Sequence, residues 1–487
     1  MRKILLGTTA VAGFALAAPQ FAAAQQAPTV RIGGFITALY GYTQQTGTAP
    51  TNISMNTIGG SDAAGANGGV SVPAVAPPAL PPGYIGGNVP ASARLGNNDF
   101  MVDAEVHVFV NGKAANGLAY GAVLEIAFNQ QEGAVRNDAR RAVDGKTTAS
   151  MDEMYAVLAT PTLGQIRFGD EDGPLGGLMN AGFVTNFGTG GVYGQWESFT
   201  VRPNRTTTSP GGLGDNTKVI YLSPQFFGFD FGASWAFNEG DGEDTGCLNS
   251  FASINCDRAY AITGSQGTAR SHNLPGRLNE LQAVLRWRGN LAGVGLAASL
   301  GTMQSSVIRN IDTAGNIVKN LRSPQVYQAG LQASYLGVTL GANYMWGNTT
   351  FFYIPTARGD KDMEQYFVGG SYTIGPVTVG ANAFWGTYAG ATGLAPGFGG
   401  NPNALPPLGR GQRRWAYSIG ANYRLAPGLD VIAEFTHHEI KLPGVSQNIP
   451  AGNLIDTNAA VAGVQNPSDV RDRARTSVFM TGVRLAF

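Results

Sequence analysis

The chain has 487 residues, with 32 Lys and Arg against 32 Asp and Glu, so its formal net charge is zero. That balance offers no basic surface for nucleic acid, and no nucleic-acid partner is expected. Charged residues make up only 13% and glycines number 69, about half and about double their usual shares, yet no apolar run beyond the N-terminus reaches spanning length, which excludes a helical membrane protein.

Met1, Arg2 and Lys3 precede an apolar run over 4–18 and then Ala22, Ala23 and Ala24 before Gln25. A charged start, a short apolar stretch and an Ala-x-Ala site predict an export signal over 1–24, with the mature chain at 25–487. The first predicted strand covers 30–42 and ends in Tyr40 and Tyr42. A tract over 43–97 follows, rich in Ala, Gly and Asn and carrying Pro73, Pro77, Pro78, Pro81, Pro82 and Pro90. Proline-dense backbone cannot sit in a central strand, so this tract is expected to be a long exposed loop.

From Val102 the pattern has period two. Val102, Ala104, Val106 and Val108 alternate with Asp103, Glu105, His107 and Phe109. After a short connection, Tyr120, Ala122, Leu124 and Ile126 alternate with Gly121 and Glu125. Sustained alternation is the signature of a strand with two different environments. Six more pairs follow, turning near 160–164, 224–228, 289–290, 336–337, 375–376 and 427–428. Each tight turn is followed by a long polar connection: 130–150, 172–215, 239–277, 307–324, 348–361, 389–412 and 440–475. With the first and last strands this predicts an all-β, antiparallel transmembrane barrel of about sixteen strands, with short periplasmic turns and long extracellular loops.

The expected outward faces carry Val, Leu, Ile, Ala and Phe, with Tyr or Trp near the strand ends, as at Trp235, Trp287, Tyr335, Trp346, Trp385, Trp415 and Tyr423. The inward faces carry Gly, Ser, Asn, Gln and charge, which only a water-filled interior tolerates. The chain ends on Phe487, which shares an apolar face with Phe479, Val483 and Leu485 while Arg484 points the other way. Cys247 and Cys256 lie in one exported polar segment and are expected to form a disulfide there.

The segments VRIGGF (30–35), NGLAYG (116–121), MDEMY (151–155), GQIRFGDEDG (164–173) and the terminal RLAF (484–487) give the chain a resemblance to general-diffusion porins of Gram-negative bacteria, most like the alphaproteobacterial type. The resemblance covers 30–487. It implies an outer-membrane location in contact with lipid and lipopolysaccharide, a homotrimer, a passive channel for ions and small hydrophilic solutes, and no cofactor. It also implies that the third loop, 172–215, folds into the barrel, and that the assembly machinery reads the terminal Phe487. The long, proline-rich first loop departs from that pattern.

On this reading the constriction is built by Asp170, Glu171, Asp172 and Glu197 from the third loop and by Asp103, Glu105, Glu125, Arg167, Lys218, Arg286, Arg288 and Glu434 from the wall. Rings of carboxylates favour cations, and the basic residues near the periplasmic mouth oppose them, so a weak cation preference is expected. No catalytic motif is present. His437 and His438 are adjacent on a strand and must point to opposite faces, so no metal site is expected from them. Asp170, Glu171 and Asp172 read better as a solvated acidic run shaping the field than as a Ca²⁺ site. An adhesive barrel and an outer-membrane hydrolase are the alternative readings; single-channel recording and a substrate assay separate them.

Overall fold

A computed structural model describes residues 26–48, 96–128, 149–200, 216–238, 261–263, 277–307, 309–311, 321–349, 353, 355–356, 358–388, 412–441 and 470–487. The expected export signal, Cys247 and Cys256 with their expected disulfide, and nearly all of the proline-rich tract lie outside them.

The strands are β1 (Gln26–Thr48), β2 (Asn98–Lys113), β3 (Ala119–Ala127), β4 (Ser150–Thr160), β5 (Gly164–Asp170), β6 (Thr217–Leu222), β7 (Phe229–Asn238), β8 (Ala261–Thr263), β9 (Arg277–Leu291), β10 (Val294–Val307), β11 (Arg309–Ile311), β12 (Gln325–Tyr335), β13 (Val338–Gly347), β14 (Met363–Ile374), β15 (Val377–Tyr388), β16 (Gln412–Ala426), β17 (Leu429–Lys441) and β18 (Val470–Ala486). All but β8 and β11 form one closed antiparallel barrel of sixteen strands in sequence order. β8 and β11 form a separate short parallel pair where only long connections were expected. β1 and β18 also run about six residues further into their long connections than the alternation alone indicates, pairing as far as Thr48 and Val470.

Closure is made by the chain ends. β1 pairs with β18 from Phe35 opposite Ala486 to Thr43 opposite Val478 without a break. The Phe487 amide donates to the Gly34 carbonyl at 3.1 Å, and the Gly34 amide donates to the Phe487 carbonyl at 3.0 Å. Closure leaves no open edge, so every strand satisfies its backbone groups on both sides, as hydrocarbon requires.

At the short-turn rim the turn chemistry fits the twist. Leu336 and Gly337 both have positive φ (46° and 83°), as do Ala292 and Gly293 (51° and 88°). Two-residue loops of this hand match the twist of the strands they join.

The two faces are distinct. Leu300, Leu331, Leu340, Ile419 and Phe168 are among many large apolar side chains exposed on the outside. Such a belt would aggregate in water and is met by lipid in an outer membrane. On the outward face of β12–β15, towards the long loops, Tyr327, Trp346, Tyr344, Tyr366 and Trp385 form a continuous stack with ring centroids 4.6–5.6 Å apart. Tyr335, Tyr372 and Tyr423 are exposed near the short turns. The aromatic residues thus border the apolar band at both ends. Among the described residues no helix is long and apolar enough to cross a membrane.

Candidate functional site

The segment 171–200 leaves β5 and runs around the inside of the barrel as a belt. It contains a π-helical turn at Pro174–Leu178 and two short 3-10 turns at Gly191–Tyr193 and Gln195–Phe199. Its backbone groups would be orphaned in the interior without partners. The inward polar residues of successive strands supply them. On β9, Gln282 Oε1 accepts from the amides of Leu175 (3.0 Å) and Gly176 (3.3 Å). Ser299 Oγ of β10 accepts from the Ala181 amide at 3.1 Å, and Asn343 Nδ2 of β13 donates to the Ala181 carbonyl at 2.9 Å. Asn382 of β15 donates to the Val184 carbonyl at 3.1 Å and accepts from the Val192 amide at 3.0 Å. Asn422 of β16 accepts from the Gly188 amide.

Glu434 of β17 is the most heavily engaged of these anchors. Its carboxylate accepts from the Thr189 amide (2.6 Å), the Thr189 hydroxyl (3.1 Å), the Gly191 amide (3.1 Å) and the Thr436 hydroxyl (3.2 Å). Beyond it Trp196 packs among Leu39, Val478 and Met480 of β1 and β18, its ring 5.1 Å from that of His438. Gln195 Nε2 then donates to Asp103 Oδ2 of β2 at 3.0 Å.

The belt lies close to the wall because the wall is locally bare. A Cβ at Gly330 would stand 2.0 Å from the Ala181 carbonyl oxygen, and one at Gly341 2.5 Å from that of Gly182. At Gly380 it would stand 2.2 Å from the Phe187 ring. Much of the glycine excess on the inward faces of β12–β16 therefore makes room for the belt. Leu175, Met179, Val192 and Tyr193 of the belt are buried with Val284, Met303, Met345, Phe367 and Phe384 of the wall. Each large apolar side chain so covered is worth about 1.5–3 kcal/mol. Tyr353, from the connection after β13, joins the same cluster. Burial pushes the hydroxyls of Tyr193 and Tyr353 well above the ordinary phenol range, so both stay neutral.

From Gly173 onward the anchors just described lie on β9 to β17 and then on β18, β1 and β2; none lies on β3 or β4. The wall from β2 to β6 keeps its charge. Asp103, Glu105, His107, Glu125, Glu153, Arg167, Asp170 and Lys218 all project inward there and are buried among one another. Glu171 receives the Arg167 guanidinium at 2.5 Å, and the Lys218 ammonium donates to the Glu171 carbonyl. Asp170 accepts from the Thr217 hydroxyl. Asp172 sits over the belt's first turn, where its carboxylate would meet a Cβ on Gly177. Glu197 stands in the last turn of the belt. On the short-turn side of this wall a cavity of about 190 Å³ is lined by Arg31, Phe109, Tyr155, Gln165 and Arg167, among others.

Arg286 and Arg288 stand apart from that cluster. Both bind Asp230 of β7 at 2.7 Å, close to the short-turn rim. Arg424 lies 3.7 Å from Asp430. The basic mouth expected from the sequence is thus partly neutralised by two aspartates that the sequence reading did not include.

His437 and His438 do point to opposite faces. His437 stacks among Trp415 and Tyr417 and hydrogen-bonds Ser477 at 2.8 Å, while His438 faces the belt. The sequence reading missed three features: the anchoring by Gln282, Asn343, Asn382 and Asn422, the inward carboxylate of Glu153, and the grouping of His107 with Glu105 and Glu125. Inward phase marked the others, but Glu153 lies in the first half of β4, ahead of the stretch whose alternation was read as a strand. Which of them meet depends on cross-strand register and on the path of the belt.

A family model described as Gram-negative porin matches residues 7–441. No curated protein matches the chain. Among solved structures it is similar to an anion-selective porin from Comamonas acidovorans, with 12% identity over 95% of this chain and 100% of that one and a TM-score of 0.47. It is also similar to outer-membrane expressed OmpT of Vibrio cholerae (12% identity, 96% and 100% covered, TM-score 0.47). The outer membrane channel DcaP of Acinetobacter baumannii is a third (9% identity, 94% and 97% covered, TM-score 0.47).

Proposed function

The chain belongs to the Gram-negative porin family, and from that premise we propose that it is a passive channel through the outer membrane for ions and small hydrophilic solutes, with a weak preference for cations. The observation that carries this reading is the asymmetry of the interior. The named belt anchors run from β9 round to β2 and none lies on β3 or β4, while Asp103, Glu105, His107, Glu125, Glu153, Arg167, Asp170 and Lys218 are grouped on the wall from β2 to β6; the ionisable groups of β9 to β17, such as Glu280, Arg414 and Glu434, are buried elsewhere. Water and solutes pass between the belt and the β2–β6 wall, and the narrowest point is set by Asp103, Glu105, Glu125, Asp172 and Glu197 against Arg167, Lys218 and Arg484.

Carboxylates outnumber basic groups along that gap, and in a narrow aqueous space with low-dielectric walls their field favours cations. Glu434 is engaged by belt amides and acts as an anchor on this reading. The preference is weak because Arg167 and Lys218 are themselves part of the wall, and it fades as salt shortens the Debye length. The barrel assembles as a homotrimer whose outer surface meets lipid and lipopolysaccharide, and the assembly machinery recognises its terminal strand.

Planar-bilayer recording tests the channel. The expected result is stable conductance steps and a small cation-selective reversal potential in a KCl gradient. The double substitution Glu105→Gln with Glu125→Gln moves that potential towards zero. Absence of steps from a folded barrel would remove the channel reading, and anion selectivity in the unaltered protein would remove the assignment of selectivity to these carboxylates.

A further inference from the structure

Glu105 and His107 are two residues apart on β2 and share its inward face. The β2–β3 register sets Glu125 directly opposite His107. His107 Nε2 lies 2.7 Å from Glu105 Oε1 and 3.8 Å from Glu125 Oε2. The three donor atoms lie within 4.8 Å of one another. The imidazole is held edge-on by two aromatic rings, Phe35 at 6.4 Å and Phe109 at 5.9 Å. Two paired strands in a closed barrel fix the backbone of all three residues, so the donor set is preorganised.

We propose that Glu105, His107 and Glu125 bind a divalent first-row transition metal of the zinc class, on the lumen wall beside the belt. The chemistry selects the class. One neutral imidazole nitrogen with two carboxylates suits Zn²⁺, whereas Ca²⁺ and Mg²⁺ take all-oxygen shells. At ordinary zinc–ligand lengths, tetrahedral donors stand about 3.3 Å apart. The His107–Glu105 contact therefore opens slightly and the His107–Glu125 contact closes by a similar amount, both within reach of side-chain rotation. The fourth position falls to water from the interior.

The surrounding charge suits a dication. Asp103 lies on the same face of β2, and Glu153 of β4 stands opposite Glu125. Arg484 of β18 interacts with both Asp103 and Glu105, and Arg167 with Glu153, so the dication enters a field that is acidic but not unopposed. The competing explanation is a plain His–Glu hydrogen bond with no metal affinity.

The placement beside the solute path rests on the channel reading; the binding itself does not. The test is a ZnCl2 titration of the folded, detergent-solubilised barrel by calorimetry, with X-ray absorption on the loaded protein. One saturable site per chain is expected, with one nitrogen and two oxygen ligands from the protein, and excess Mg²⁺ leaves it occupied. His107→Ala and, separately, Glu125→Gln weaken binding by about 10-fold or more. A variant with His437 and His438 both changed to Ala binds as the unaltered protein does. Each variant is first checked for the gel-mobility shift on heating that marks a closed barrel, and Glu125→Gln serves if His107→Ala does not fold. No saturable binding, or undiminished binding in the folded variants, would overturn the site. In bilayers, ZnCl2 lowers the conductance step of the unaltered protein and not that of Glu125→Gln. Zinc binding without any effect on current would keep the site and overturn its place on the solute path.

Discussion

A carboxylate with 1% of its surface exposed, such as Glu434, is tolerable only when its oxygens are fully engaged. Four donors engage this one, three of them from Thr189 and Gly191 of the belt. Changing Glu434 to Ala leaves those two amides without their acceptor, a local loss of about 1–3 kcal/mol. The belt should then detach around Gly188–Gly191 without the barrel unfolding. The expected outcome is noisier open-channel current and faster protease cleavage within 171–200, with the same heat-induced gel shift as the unaltered protein. A quiet channel with unchanged protease resistance would show that Glu434 does not hold the belt. The contrast with Glu105 and Glu125 is the informative one. All three are inward carboxylates, but Glu434 is taken up by the belt's amides, whereas Glu105 and Glu125 stand in the charged cluster of the β2–β6 wall, so it is their loss that should move the reversal potential strongly.

At the scale of the element, the belt and its bed are matched surfaces. Gly330 is one of the tightest points between belt and wall backbone, since a Cβ there would stand 2.0 Å from the Ala181 carbonyl oxygen. A side-chain tip could rotate away, but a carbonyl held by Asn343 on the same stretch cannot. Gly330→Ala should therefore displace the belt and shift single-channel conductance. Gly359→Ala, with open space around it, should do nothing measurable beyond the strain at its positive φ. Equal conductance in both variants would mean that the bed does not position the belt. This level of organisation was only partly legible beforehand. Strand number, order and facing follow from period-two alternation and from the short and long connections taking turns, because both are local properties. Leu336-Gly337 announces its own turn. The partners of the belt are not local. Ala181 meets Asn343, and Thr189 meets Glu434, across 162 and 245 residues. Those meetings depend on the stagger of sixteen strands and on the path of a loop with no repeating pattern. The same reason hid the grouping of His107 with Glu125, which only the β2–β3 register reveals.

At the scale of the whole molecule, β1 and β18 close the barrel. Phe487 ends the seam between β18 and β1, its backbone paired with Gly34 and the residue 58% exposed. Deleting it removes both the last pair of seam hydrogen bonds and the apolar terminus proposed to be read during assembly. Lower yield of the folded, heat-modifiable barrel on unboiled gels is expected, with normal export across the inner membrane; a normal yield would contradict that role. The central claim is the route taken by solutes, between the belt and the β2–β6 wall. Thiol accessibility in the conducting state tests it most directly. In a background with Cys247 and Cys256 changed to Ser, single cysteines are placed at Glu125, on the charged wall, and at Val284, beneath the belt. A charged, water-soluble thiol reagent is then added during bilayer recording. The account predicts stepwise loss of current for Glu125→Cys and none for Val284→Cys; block through Val284→Cys with Glu125→Cys unaffected would contradict it.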